Sequence, residues 1–290
     1  GVFMNALHTP HLKQGTVEEK RKEILAYFQQ SFDRYESLFS LLKSDDAYYQ
    51  RPEKLRHPLI FYYGHTATFF INKLVLAKLI NDRINPDFES LFAIGVDEMS
   101  WDDLDEDHYD WPTVAEVMDY RAKVRATVLE LIETLPLSLP INWESPWWPI
   151  VMGVEHERIH LETSSVLIRQ HDLAMVRPQP EGAPIRETGE APENELITVP
   201  AGTVSIGKPY DDAYYGWDNE YGLQQESVSE FSASQFLVSN GEFLTFVKAG
   251  GYENAKYWEG EGNKWREYTQ AQHPVFWIKQ GDGYKYRSML

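Results

Sequence analysis

Gly153–Gln170, GVEHERIHLETSSVLIRQ, is the stretch on which the reading of this chain turns. It has helical periodicity and carries His156 and His160 four residues apart. At about 100° per residue, positions i and i+4 stand about 40° apart around a helix and one turn apart along it. Two imidazoles on one face can therefore converge on one divalent ion. Glu162 lies about 200° around from His160, which places it poorly as a further ligand. A surface helix that happens to hold two histidines has the same spacing, so the rest of the sequence has to decide.

Working outward, Ser145-Pro146 is read as the start of this helix, with Trp147 and Trp148 near its first turn. Before it, Thr113–Glu116 reads as a capping box, and the helix that follows sets Val117, Val124, Val128 and Leu131 on one face until Pro136 and Pro140 end it. Arg56–Ile80 opens with Pro58 near its first turn and is apolar almost all round, the pattern of a buried central helix, with His65 well inside it. Thr16–Leu42 shows one apolar stripe of Ile24, Phe28, Phe32, Tyr35, Phe39 and Leu42. Four long helices with at least one long crossover fit a four-helix bundle, a fold that builds metal sites in its core from facing helices. The long connection Asn81–Trp111 ends in an acidic patch. There Asp103, Asp105 and Asp107 have EF-hand spacing, but His108 and Val114 occupy the glycine and glutamate positions, so calcium is rejected.

Residues 177–194 are rich in Pro, Gly and Glu and read as a linker. From Glu195 onward, short β-like runs (Leu196–Val199, Thr203–Ile206) and a helical stretch around Asn240–Ala249 indicate a mixed α+β domain. The expected division is thus 1–176, bundle with metal site; 177–194, linker; 195–290, second domain. That last segment is short for such a domain, and the expectation is that it is incomplete.

The net charge of −18 argues against nucleic-acid or anionic-membrane partners, which would repel the chain. The absence of cysteine excludes disulfides and thiolate metal sites, so a metal must be held by His, carboxylate or carbonyl groups. No apolar run is long enough to span a bilayer and no N-terminal apolar leader is evident, so a cytoplasmic protein is the default expectation.

His156-Glu157-Arg158-Ile159-His160 matches the H-E-x-x-H zinc-peptidase signature. The extended form fails, because Thr163 and Val166 stand at its Gly and His positions, and the linker offers no glutamate at the other usual spacing. The bundle-metal reading therefore ranks above it. His65 is the candidate third ligand, although a lone histidine on an apolar helix is more often a hydrogen-bonded core residue. Tyr62 and Thr68 flank it at i−3 and i+3. Tyr62, Trp147 and Glu162 are candidates for the neighbourhood of the site by helix phase or proximity, and core packing accounts for each equally well. His57 lies two turns from His65 and cannot share its metal from a straight helix; His108, His171 and His273 are read as solvated. Three neutral imidazoles suit Zn(II) or Fe(II).

LRHPLIFYYGHTATFFINKL, AIGVDEMSWDDL, INWESPWWPIVMGVEHERIHLETSSVLIRQ and YGWDNEYG together resemble the ergothioneine/ovothiol sulfoxide synthases, in particular the 5-histidylcysteine sulfoxide synthases of ovothiol biosynthesis. VPAGTVSIGK and FVKAGGYENAKYW agree with the second half of that family. The resemblance implies a DinB-like four-helix bundle followed by a C-type-lectin-like domain of the formylglycine-generating-enzyme type. It implies non-haem Fe(II) on His65, His156 and His160, and coupling of L-cysteine to the imidazole ring of L-histidine with O₂. Ergothioneine-pathway members, which use N-trimethylated histidine, typically have Gln where Ile159 stands, which favours histidine as the acceptor. An active-site tyrosine is expected beyond residue 290, and many members carry a methyltransferase domain after that. Iron binding is accordingly expected to survive better than turnover in these residues. An ergothioneine-type enzyme, a zinc hydrolase and a non-catalytic DinB-like module are the alternatives.

Overall fold

The computed structural model describes residues 8–94, 109–179 and 189–289. The acidic patch Asp97–Asp107, its EF-hand-like triplet and His108 lie outside the described residues, as does the middle of the linker.

Helix α1, Val17–Phe39, starts where the Thr16 side chain accepts the Glu19 amide, and it buries Ile24, Phe28, Phe32, Tyr35 and Phe39 along the expected stripe. Helix α2, Leu59–Leu76, follows Pro58 and is buried on nearly every side from Leu59 to Thr68, as its apolar sequence requires. A short helix the sequence reading missed, α3 (Pro86–Leu91), forms within the long connection, with Asn85 capping the Phe88 amide. Helix α4, Val114–Thr134, has the full reciprocal capping box of Thr113 and Glu116. Helix α5, Trp148–Gln170, carries the two histidines of the quoted stretch.

The helices form a square in which α5 packs on α1 and α2, and α4 packs on the same two from the other side. The core inside it is strongly aromatic. Tyr35, Phe39, Phe61, Tyr63 and Phe92 are buried in one cluster with Leu59, Ile60 and Ile168. Two glycines let the helices approach closely. A Cβ on Gly153 of α5 would lie 2.2 Å from the Phe70 ring of α2, and one on Gly64 of α2 would lie 2.8 Å from the Phe92 ring. A helical glycine costs about 1 kcal/mol against alanine; here contact that a methyl group would prevent offsets that cost.

The chain divides into two compact units. The first holds the described residues up to 179 together with Asp211–Trp217 and Met289; the second holds residues 189–210 and 218–288. The strap Asp211–Trp217 thus belongs with the bundle. The Leu12 amide donates to the Ala213 carbonyl at 2.7 Å, and the Tyr215 ring lies 4.6 Å from that of Trp148.

In the second unit the described strands form three antiparallel pairs. β1 (Leu196–Val199) pairs with β4 (Phe231–Ser234), β2 (Gly202–Lys208) with β3 (Gly222–Val228), and β5 (Trp277–Gln280) with β6 (Gly283–Tyr286). Gly207, at φ +112°, passes so near the partner strand that a Cβ would sit 1.9 Å from the Gly222 carbonyl oxygen. Helix α6 (Asn240–Lys248) is the expected one. Helix α7 (Gly260–Thr269) was not anticipated, because GEGNKWREYT carries two glycines in its first turn and buries no residue of its own.

Candidate metal centre

His65 lies near the middle of α2, and His156 and His160 lie one turn apart on the facing side of α5. Ring centroids are 4.9 Å apart for His65–His156, 4.7 Å for His65–His160 and 4.5 Å for His156–His160. One nitrogen of each ring lies within 4.8 Å of the others. Two nitrogens sharing an ion at ~2.1 Å can be at most ~4.2 Å apart, so small ring rotations suffice to close the three on one ion. Among the described residues, no carboxylate joins this cluster.

The surroundings prepare the rings to give lone pairs. His65 Nδ1 lies 2.5 Å from the Phe92 carbonyl oxygen. A carbonyl only accepts, so Nδ1 carries the hydrogen and Nε2 is left with its lone pair. His156 stacks on Phe69 at 3.7 Å and 9°, and His65 stacks on Phe61 at 5.1 Å and 20°. Burial, then the neighbouring His65 and His160 and the charge of Lys73, holds His156 well below its ordinary pKa. Burial and His65 push His160 down to about 3. Both rings are therefore neutral at pH 7. Each also keeps a buried Nδ1 without a hydrogen-bond partner. A buried polar atom left unsatisfied costs ~1–3 kcal/mol, and a cation among three neutral imidazoles is a partner this donor set fits.

Of the other candidates, only Tyr62 stands near the cluster. Its ring is 6.2 Å from that of His160, and its hydroxyl accepts the His57 amide at 3.2 Å. Trp147 is nine residues, ~13 Å of helix, from His156; its indole donates to the Pro136 carbonyl at 2.9 Å, which makes it a packing residue at the helix start. Glu162 is exposed on the opposite face of α5, as its phase requires. His171 corrects an expectation: it is buried, with Nε2 3.0 Å from the Ala47 carbonyl oxygen, because the end of α5 packs beneath the 3₁₀ turn Asp45–Tyr49. His273 is half-buried with Nδ1 against the Pro274 carbonyl.

The most consequential residue that sequence reasoning passed over is Arg121 of α4. It is 0 % exposed and lies 4.1 Å over the Phe32 ring. It donates to the Tyr63 carbonyl at 3.1 Å, to Thr66 Oγ1 at 3.0 Å and to Glu157 Oε2 at 3.4 Å. These groups flank His65 on α2 and follow His156 on α5, so one guanidinium ties together the helices that carry the three histidines. Burial pushes the Glu157 carboxyl up while the Arg121 charge pulls against it. Glu157 is 1 % exposed and directed into this network, which leaves the H-E-x-x-H reading without a base at the metal face. A signal was present: Arg121 is a charge set in the stripe Val117, Val124, Val128.

Residues 27–164 match the DinB superfamily, and residues 183–290 match the sulfatase-modifying factor enzyme 1-like domain. The chain is thus a DinB helical domain followed by a sulfatase-modifying-factor-type α+β domain. It is similar to Ergothioneine biosynthesis protein 1 of Neurospora crassa, 28% identical over 214 residues, which are 68% of this chain and 24% of that protein. It is also similar to Hercynine oxygenase of Mycolicibacterium smegmatis, 24% identical over 258 residues, 85% of this chain and 55% of that protein. Ergothioneine biosynthesis protein 1 of Schizosaccharomyces pombe is 24% identical over 232 residues, 67% of this chain and 29% of that protein. The chain spans about a quarter to a half of the length of these curated relatives. Their names point to ergothioneine rather than to ovothiol, so the resemblance holds for the wider ergothioneine/ovothiol group and not for its ovothiol branch in particular. Among the described residues, no helix is long and apolar enough to cross a membrane.

Proposed function

We propose that this chain carries the metal-binding part of an iron-dependent sulfoxide synthase acting in the cytoplasm. The observation behind it is the convergence of His65, His156 and His160 from two helices, inside a domain pair that distant relatives named hercynine oxygenase share. The reaction joins a cysteine thiol to an imidazole carbon. One S–H and one C–H bond break, one C–S and one S–O bond form, and O₂ ends as water and the sulfoxide oxygen. Ferrous iron, if bound, would be held by His65, His156 and His160 and would supply the oxygen chemistry. The protein's own contribution is placement: Phe92 fixes the His65 tautomer, Phe69 and Phe61 hold two rings in plane, and Arg121 sets the spacing of the helices.

Hercynine, the N-trimethylated histidine, is our first reading of the acceptor, on the names of the relatives. L-Histidine is the second, supported by Ile159, whose side chain stands 45 % exposed on the flank of the histidine pair and offers no hydrogen bond. The test is anaerobic loading with Fe(II), followed by O₂ consumption and mass spectrometry with cysteine plus either acceptor. One iron per chain and a coupled sulfoxide support the proposal. Zinc-dependent hydrolysis, or metal uptake with no cysteine-dependent O₂ consumption, would overturn it.

A further inference from the structure

A short helix normally docks through apolar side chains, but α3 docks through a carboxylate. Of its six residues only Glu89 is buried, with its side chain 1 % exposed. A buried carboxylate is costly unless its oxygens are met, and here both are. Oε2 accepts the Tyr120 hydroxyl of α4 and the Asn85 amide, each at 2.8 Å, and Oε1 accepts Arg83 at 3.4 Å. The Glu89 carbonyl accepts the side-chain amide of Asn72 on α2 at 3.0 Å, and Arg83 donates to Asn72 Oδ1 at 2.7 Å. One residue thus joins α2, α4 and the segment that leads into α3.

A helix of six residues does not hold its own shape, since isolated helices below ~12–15 residues are marginal in water. The tertiary bonds of Glu89 therefore set where α3 lies and how it is rolled. What that placement controls is one turn further on. Phe92 ends the helix. Its amide donates to the Phe88 carbonyl at 2.9 Å, while its own carbonyl, beyond the last intrahelical bond, meets His65 Nδ1 at 2.5 Å. Packing of the Phe92 ring over Gly64 fixes the depth of the residue. A ring contact does not decide which way the peptide plane turns; the hydrogen-bonded turn behind it does.

We propose that Glu89 is a positioning residue for the histidine cluster: it anchors α3 on α2 and α4 so that the Phe92 carbonyl holds the His65 hydrogen on Nδ1 and leaves Nε2 to a metal. The inference rests on the reading of the three histidines as a metal centre and deepens it, because it traces the aim of one ligand to a carboxylate that acts only through Phe92.

The test starts on the metal-free protein. Long-range ¹H–¹⁵N correlations of the histidine rings read which nitrogen of His65 carries the hydrogen, and the wild type should show Nδ1–H. Glu89→Ala should convert His65 to a mixture of the two tautomers. It should also weaken Co(II) binding, read by visible absorption, by ~10–100-fold, the usual effect of losing an outer partner of a metal ligand. Glu89→Gln keeps an acceptor oxygen and should lose less on both counts. Tyr120→Phe removes one hydrogen bond at nearly constant volume and should shift the tautomer in the same direction, so it keeps the test decisive if Glu89→Ala fails to fold. Val128→Ala, a core truncation two turns further along α4, is the control. It should lower the urea midpoint and leave the tautomer unchanged. Nε2–H in the wild type, an unmoved tautomer in the Glu89 and Tyr120 variants, or an equal tautomer shift in Val128→Ala would each overturn the proposal. Absence of Co(II) binding by the wild type would remove the metal centre instead, while the tautomer readout still decides the link from Glu89 to His65.

Discussion

In the bundle, Phe28, Phe32, Phe39, Phe61, Phe70 and Phe92 are wholly buried, whereas in the second unit Phe231, Phe236, Tyr268 and Tyr286 are exposed. Among its described apolar residues, only Tyr252 and Trp277 are buried there, and Leu237 is 94 % exposed. The first unit encloses its aromatic rings within a square of helices; the second has three separate strand pairs and two short helices with little interior between them. A metal site needs ligands held in place before the ion arrives. His65 and His160 are buried and His156 half-buried among packed side chains, and the contrast explains why the candidate metal site is in the bundle.

The largest break in that contrast should come from Arg121→Met. Removing one partner of a buried ion pair typically costs ~3–5 kcal/mol, read by urea denaturation. Adding Glu157→Gln should recover some of it, since no fully buried carboxylate would then lack its cation; Glu36, which Arg121 Nε also meets at 3.2 Å, keeps Arg125. A loss below ~1 kcal/mol would show that Arg121 ties nothing together.

Metal comes next. At a hundredfold excess over Kd, Fe(II) should stabilise the bundle by ~2.7 kcal/mol, and chelation should reverse this. His65→Ala should abolish the shift. Hydrogen exchange should localise the protection to α2 and α5; equal protection in the second unit would contradict the assignment.

Gly153→Ala should cost ~1–3 kcal/mol by overpacking, because its methyl meets the Phe70 ring, and it should weaken metal binding by spreading α2 from α5. Gly202→Ala, with open space around it, is the matched control and should leave metal affinity unchanged. Smallest of all, Leu237→Ala should change stability by no more than ~0.5 kcal/mol, whereas Phe28→Ala should cost ~3–5 kcal/mol. Similar losses at the two positions would mean that Leu237 is covered in solution.

What the sequence revealed and what it hid follow a physical line. The α1 stripe, the Thr113 capping box and the shared face of His156 and His160 depend on local geometry, so periodicity alone reached them. Phe61 and Phe69, at i−4 and i+4 from His65, were within reach of the same argument and were passed over. The Phe92 carbonyl on His65, the Arg121 network and the buried contact of His171 join residues distant in sequence, and no local pattern reports such pairings. α7 escaped because Trp265 and Tyr268 are its only large apolar residues and both are exposed, which leaves no buried stripe to read.

The strap Asp211–Trp217 has a practical consequence for anyone who would dissect this protein. A cut in the Pro-rich linker, the obvious place to separate the modules, would strip the bundle of a piece donated from downstream. Trp148, at the head of the helix that bears the histidine pair, would lose Tyr215 as its cover, and the backbone of Leu12 its acceptor. A bundle excised at residue 182 should therefore be stickier and melt earlier than the same helices within the longer polypeptide, for reasons unrelated to iron.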